Sequence, residues 1–143
     1  MSLEFVRLAT DADIVACIPV IRQLRPALDE SGFAAYVRHL ETGGAHFVCA
    51  RLGGAVVAVA GYRVLERIAR DKQVLFVTDL VTDSRNRSGG VGRAMLAWLS
   101  AEGRRLGCNE IGLDTNLHRH RAQDFYLRER FAITAFHFTR ALE

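Results

Sequence analysis

The chain has 143 residues, 50% of them hydrophobic and 24% charged, with 19 Lys and Arg against 16 Asp and Glu. That is the profile of a single globular domain, here 1–143, large enough to build a core without staples, and it excludes collagen-like, disordered and disulfide-dependent classes. The longest apolar run, Ala55–Tyr62, is far short of the roughly 18–20 residues that cross a bilayer, and no basic patch and apolar core open the chain, so a cytoplasmic protein without a membrane partner is expected.

Thr10 is followed by Asp11 and Asp13 as candidate caps and by Ile14, Cys17, Ile18, Ile21 and Leu24 at helical spacing, which predicts a helix ending near Arg25-Pro26. A second helix is predicted over 32–40, with Phe33, Val37 and Leu40 on one face and Thr42-Gly43-Gly44 closing it. The period then shortens: 46–50 and 55–64 flank Gly53-Gly54, the signature of a hairpin. A third, mostly apolar strand runs from about Gln73 to Thr82, as a strand buried on both faces should.

After a polar turn and a cluster of glycines, Val91, Met95, Trp98, Leu99 and Leu106 form the stripe of an amphipathic helix that Gly107 stops. A short strand over 110–115, a helix over 122–130 and a last strand over 133–139 complete the chain. The order α-α-β-β-β-α-β-α-β, with room for a short N-terminal strand, implies an α/β fold: a mixed, mostly antiparallel sheet flanked by helices.

The segment that carries most chemistry is Arg87-Ser88-Gly89-Gly90-Val91-Gly92-Arg93, between the buried strand and the amphipathic helix. Glycines allow close backbone approach, and free N–H groups at a helix start attract an anion, so the segment reads as a phosphate or pyrophosphate cradle with Arg87 and Arg93 as charge-assisted donors. Charge agrees: residues 84–130 hold nine Arg against five acids, and Lys72 is the sole lysine. On charge alone, nucleic acid and a small phosphorylated ligand remain equal alternatives. A nucleoside-triphosphate loop needs a Lys after the glycines, and none follows. A dinucleotide fingerprint begins at Gly90-Val91-Gly92 and has Asp114 downstream, but its third glycine is replaced by Met95 and too little chain follows for a doubly wound sheet.

With these residues the chain resembles the GNAT superfamily of acyl-CoA-dependent N-acyltransferases. The family's Arg/Gln-x-x-Gly-x-Gly/Ala is matched by Arg87 to Gly92, its preceding strand by Thr78 to Asp83, and its Ala-x-x-Phe-Tyr by Ala122-Gln123-Asp124-Phe125-Tyr126 with Phe131 closing. Arg130 replaces the usual glycine before that aromatic, and Arg119 stands where Asn often contacts the pantetheine arm, which leaves Asn116 as the nearby amide. The resemblance implies acetyl transfer from acetyl-CoA to a primary amine, small-molecule or peptide, in a ternary complex. It further implies that Leu80, Val81 and Thr82 lend backbone groups to pantetheine and thioester, with an oxyanion donor near Val81, and that Tyr126 is the general acid. Family members also form homodimers through the sheet edge or late strands.

Asp79 lies two residues before Val81 and shares its face unless a bulge intervenes; it is either a general base or a structural carboxylate. His118-Arg119-His120-Arg121 lacks the spacing of a metal site and reads as a basic loop, so no metal is expected. His46 and His137 fall in predicted strands. Cys17, Cys49 and Cys108, odd in number and without CxxC, read as reduced, packed thiols. Arg25, Asp29, Tyr36 and Tyr62 are candidate acceptor contacts. Two other readings compete: a dinucleotide-dependent oxidoreductase, and a non-catalytic module that binds CoA or nucleic acid.

Overall fold

The computed structural model describes residues 2–69, 71–87 and 89–143. Five strands form one sheet in the order β1-β2-β3-β4-β5: β1 (Glu4–Arg7), β2 (His46–Leu52), β3 (Ala55–Leu65), β4 (Val74–Thr82) and β5 (Glu110–Leu113). The helices are α1 (Asp11–Leu24), α2 (Phe33–Thr42), α3 (Val91–Arg105) and α4 (His120–Arg128). The mixed α/β class and the expected order hold through α4, and the short N-terminal strand is present as β1. The strand expected over 133–139 is absent: residues 131–143 carry neither helix nor strand. Its alternating apolar side chains lack a neighbour to pair with, and Ile133, Phe136, Phe138 and Leu142 are exposed.

Contacts divide the chain into two compact units, one reaching Gly112 and one starting at Leu113. In the first, Thr10 caps α1 through a reciprocal box: Asp13 N–H donates to Thr10 Oγ1 and Thr10 N–H donates to Asp13 Oδ2, both 3.1 Å. The Gly53-Gly54 turn has φ of +57° and +83°, a geometry glycine adopts without strain and one that matches the twist of a two-residue hairpin. Antiparallel registers place Cys49 opposite Val59 and Val59 opposite Val81. These three side chains join Leu8, Ile14, Cys17, Val20 and Val37 in one core cluster, so α1 and α2 cover this face. On the other face α3 buries Val91, Met95, Leu96 and Leu99, and its Gly103 lets the helix approach Leu75, to which a Cβ would come within 3.4 Å. All three cysteines are buried and reduced.

Between β3 and β4 the register shifts: Gly61 pairs with Asp79, but Tyr62 pairs with Val77. Thr78 is therefore the extra residue of a β-bulge. Gly61 sits tightly beside it, since a Cβ there would lie 3.0 Å from Phe47 and 3.1 Å from Thr78 Oγ1, and those side chains would have to give way.

Candidate active site

The last residues of β4 are paired on one side only. Asn109 N–H and Glu110 N–H both donate to Gln73 O, at 2.9 and 3.3 Å, so β4 and β5 start side by side and run in the same direction. β5 has four residues and β4 nine, so β5 accompanies only the first part of its neighbour. Asp83 N–H donates to Val57 O at 2.8 Å, which fixes the hydrogen-bonding phase of the antiparallel β3–β4 ladder. By alternation Val81 turns its backbone groups toward β3, whereas Leu80 and Thr82 turn theirs toward the open edge. Near Val81 the outward backbone groups are thus those of Leu80 and Thr82, while the Val81 side chain is buried in the core. Because the bulge falls at Thr78, before Asp79, Asp79 and Val81 keep a common face.

Beyond β4 the backbone is held at Asp83, whose carboxylate is buried. It accepts from Arg85 N–H at 3.2 Å and from Arg85 Nη2 at 2.9 Å, nucleating a 3₁₀ turn over Ser84–Asn86. Hydrogen bonds from Arg85 and Gln23 hold the Asp83 carboxyl down at about 2. Gly90 then precedes α3 at φ +79°, in the left-handed region, and among the described residues it has no side-chain cap and no neighbouring atom within 4 Å of its Cβ position. The first intrahelical bond runs from Ala94 N–H to Gly90 O. Val91 and Gly92 therefore present backbone N–H groups at the positive end of the helix dipole. This arrangement fits a pyrophosphate. Arg87 is exposed beside it, and Ser88 lies outside the described residues.

On the α1 side, Arg25 Nη2 lies 3.5 Å from Asp79 Oδ1. The chain between α1 and α2 surrounds a cavity of about 670 Å³ whose walls include Leu24, Arg25, Asp29, Ser31, Phe33 and Tyr36. Three of the candidate acceptor contacts, Arg25, Asp29 and Tyr36, meet here. Tyr62 does not: it is buried, and its hydroxyl donates to Glu102 of α3. His46, at the start of β2, is exposed and stacks on the Tyr62 ring at 5.2 Å.

In the unit from Leu113, Asn116 Oδ1 accepts from His118 N–H at 2.9 Å and its carbonyl accepts from Gln123 Nε2 at 3.0 Å, which forms the approach to α4. Helix α4 starts at His120, two residues before its expected start. Tyr126 packs against the rings of Phe125 and Phe131, at 5.2 and 5.5 Å. Burial raises its phenol pKa above the ordinary value, against a smaller lowering by Arg119. Arg130, at φ +68°, adopts the left-handed turn that the family gives to glycine. His137 belongs to no strand and contacts Asp114 Oδ2 through Nδ1 at 2.8 Å.

The family model for the acetyltransferase (GNAT) family matches residues 12–131, which include the uncapped start of α3, the end of β4 and α4. The chain belongs to the GNAT family. It is similar to the aminoalkylphosphonate N-acetyltransferase of Salmonella typhimurium, with 29% identity over 133 residues, 92% of this chain and 86% of that protein. Its fold is that of a Trypanosoma brucei acetyltransferase, at a TM-score of 0.82 and 22% identity over 99% of this chain and all of the other. It is also that of the aminoglycoside acetyltransferase AAC(6')-Iy bound to a CoA-containing bisubstrate analogue, at a TM-score of 0.86 and 16% identity over 100% and 99% of the two chains. As a GNAT acetyltransferase the chain transfers an acetyl group from acetyl-CoA to an amine. The oxidoreductase alternative falls with the doubly wound sheet it required, which the antiparallel β1–β4 order replaces. No helix among the described residues is long and apolar enough to cross a membrane.

Sequence reasoning did not find Gln23, which reaches the start of the loop between β4 and α3 from α1 (Nε2 to Asp83 Oδ1, 3.1 Å; Ser84 N–H to Oε1, 2.9 Å). No local signal marks it, because its partners lie 60 and 61 positions away.

Proposed function

We propose that residues 1–143 act as one acetyltransferase domain that works by direct transfer in a ternary complex, on a small amine that also carries an anionic group. The observation that carries this is the uncapped start of α3 behind left-handed Gly90, which has the room and polarity a pyrophosphate requires. In this reading the backbone of Gly89, Gly90, Val91 and Gly92 and the side chains of Arg87 and Arg93 hold the pyrophosphate, with Ser88 in the same stretch. Leu80, Val81 and Thr82 run along the pantetheine arm, which Asn116 also contacts. An outward N–H of Leu80 or Thr82 polarises the thioester carbonyl, a contribution worth about 2.7–4 kcal/mol where such a donor has been removed.

The neutral amine attacks the carbonyl carbon, the new C–N bond forms, and the C–S bond breaks as the tetrahedral intermediate collapses. Tyr126 gives its proton to the departing thiolate; burial keeps the phenol protonated at neutral pH. The amine's surplus proton passes to Asp79, directly or through water. The acceptor class is supported by the aminoalkylphosphonate specificity named for the Salmonella relative and by Arg25 at the cavity wall, a bidentate partner for phosphonate.

The exposed side chains of Ile133, Phe136, Phe138 and Leu142 support a homodimer formed through the C-terminal segment. Reduced cysteines support a cytoplasmic setting. Nucleic acid is not a partner in this reading, because the arginines of the glycine segment serve the cofactor. The test is a panel of 2-aminoethylphosphonate, ethylamine, spermidine and an aminoglycoside, assayed by release of the CoA thiol. The phosphonate should be turned over at least tenfold more efficiently than ethylamine, and equal rates would remove the anionic requirement.

A further inference from the structure

The end of α1 grips both ends of the segment Leu80–Thr82. Arg25 reaches Asp79 before it, at 3.5 Å, and Gln23 reaches Asp83 after it, at 3.1 Å. The Gln23 amide also accepts from Ser84 N–H at 2.9 Å, so it donates to one residue of the cofactor loop and accepts from the next. Glutamine is the uncharged side chain with both a donor and an acceptor at this reach. Asp83 is buried, and besides Gln23 its carboxylate takes its bonds from Arg85, so the side chain is held between α1 and the loop while its N–H is anchored on Val57 O. On its other side Gln23 adjoins Leu24, where the wall of the cavity begins.

We infer that Gln23 is a positioning residue that couples the acceptor cavity to the cofactor loop, so that ordering the loop also orders the residues from 24 to 33. The proposal rests on the reading that the loop and the start of α3 take the pyrophosphate. Coupling of this kind needs no large movement: a ligand that holds Asp83 and Ser84 in place holds the Gln23 side chain, and through it the last turn of α1.

Hydrogen exchange measured with 3′-phospho-ADP tests this, because that fragment of CoA ends at the pyrophosphate and lacks the arm that would approach the cavity. In the wild-type protein it should slow exchange in peptides spanning 84–93 and, about five- to tenfold, in peptides spanning 24–33. Gln23→Glu, which sets a carboxylate against Asp83, should abolish the protection at 24–33 and weaken the fragment's affinity about three- to tenfold, with the melting temperature within a few degrees of wild type. Gln23→Met, which removes both hydrogen bonds without adding a charge, should likewise lose the protection at 24–33 while keeping that at 84–93. Protection at 84–93 without any at 24–33 in the wild type, or protection at 24–33 that survives in Gln23→Met, would overturn the coupling and leave the cofactor site standing. Loss of protection at 84–93 in the wild type itself would overturn the cofactor-site reading, and the coupling with it.

Discussion

The Tyr62 hydroxyl donates a 2.6 Å hydrogen bond to Glu102 Oε2 inside the protein, joining β3 to α3. The same carboxylate accepts from Arg7 at 2.8 Å and from Arg105 at 2.6 Å, while the Arg7 guanidinium lies 5.1 Å from the centre of the Trp98 ring. A buried carboxylate is costly unless such partners surround it, and here three elements converge to supply them. Burial opposes ionisation of Glu102, but the hydrogen bonds from Arg105, Arg7 and Tyr62 outweigh it and hold the carboxyl below the ordinary carboxylate range. Burial and the same carboxylate raise the Tyr62 phenol.

This fixes the direction of the acid response. Glu102 and Asp83 both have folded-state values below their unfolded ones, so their contribution is complete above about pH 4.5 and is lost as the pH falls from there toward the folded values. Urea unfolding between pH 7 and pH 3 should show stability falling below about pH 4.5, with a shallower fall in Glu102→Gln. Tyr62→Phe should cost about 1.5–3 kcal/mol at pH 7, the usual worth of a hydrogen bond to a charged group.

Gly90→Ala should weaken CoA binding at least tenfold in a titration with desulfo-CoA. In the proposed cradle a Cβ would crowd the pyrophosphate, and a left-handed φ costs an L-residue roughly 1–2 kcal/mol in stability. Undiminished affinity would refute the cradle.

Tyr126→Phe should lower kcat by about 10²-fold or more, the usual range for a general acid, with the affinity for desulfo-CoA changed less than twofold. Since burial raises the phenol, the wild-type rate should not fall through loss of this proton at any pH up to the ordinary tyrosine value of about 10. An unchanged kcat would remove Tyr126 from the chemistry.

Arg25→Ala should raise KM for 2-aminoethylphosphonate about tenfold or more and leave KM for ethylamine within twofold. The substitution removes the cavity's bidentate cation and the partner of Asp79 together. Arg25→Lys should recover only part of the loss, because a point charge does not reproduce the planar fork.

Phe136→Ser combined with Phe138→Ser should shift the protein from dimer to monomer in sedimentation velocity at micromolar concentration. Both rings are exposed, so the substitutions open no cavity in the monomer.

Much of this was legible in the sequence because it is local. Gly53-Gly54 announced the hairpin, the change of period at Ala45-His46 separated helix from strand, and the glycines before Val91 marked the turn into α3. What escaped depends on distant partners. Tyr62 has the same character in sequence whether it lines a cavity or enters the interior; Glu102, 40 positions away, decides it. Residues 133–139 have the composition of a strand, yet a strand exists only where another offers its edge. The bulge had no signal of its own either, since Thr78 is an ordinary strand residue, and only the Gly61 opposite hints at crowding.

Thr78 makes the bulge a slack link in β4. Taking out this one residue would leave Val77 and Asp79 as successive partners of Tyr62 and Gly61, a regular ladder in which Asp79 to Thr82 keep their partners and their faces. What would change is the local bend and twist that the extra residue gives the strand just before Asp79, and with it the direction in which the open edge of Leu80 to Thr82 leaves the first part of β4. A one-residue deletion at the bulge should therefore spare the register, whereas one past it, between Asp79 and Thr82, would turn the residues beyond it to the opposite face.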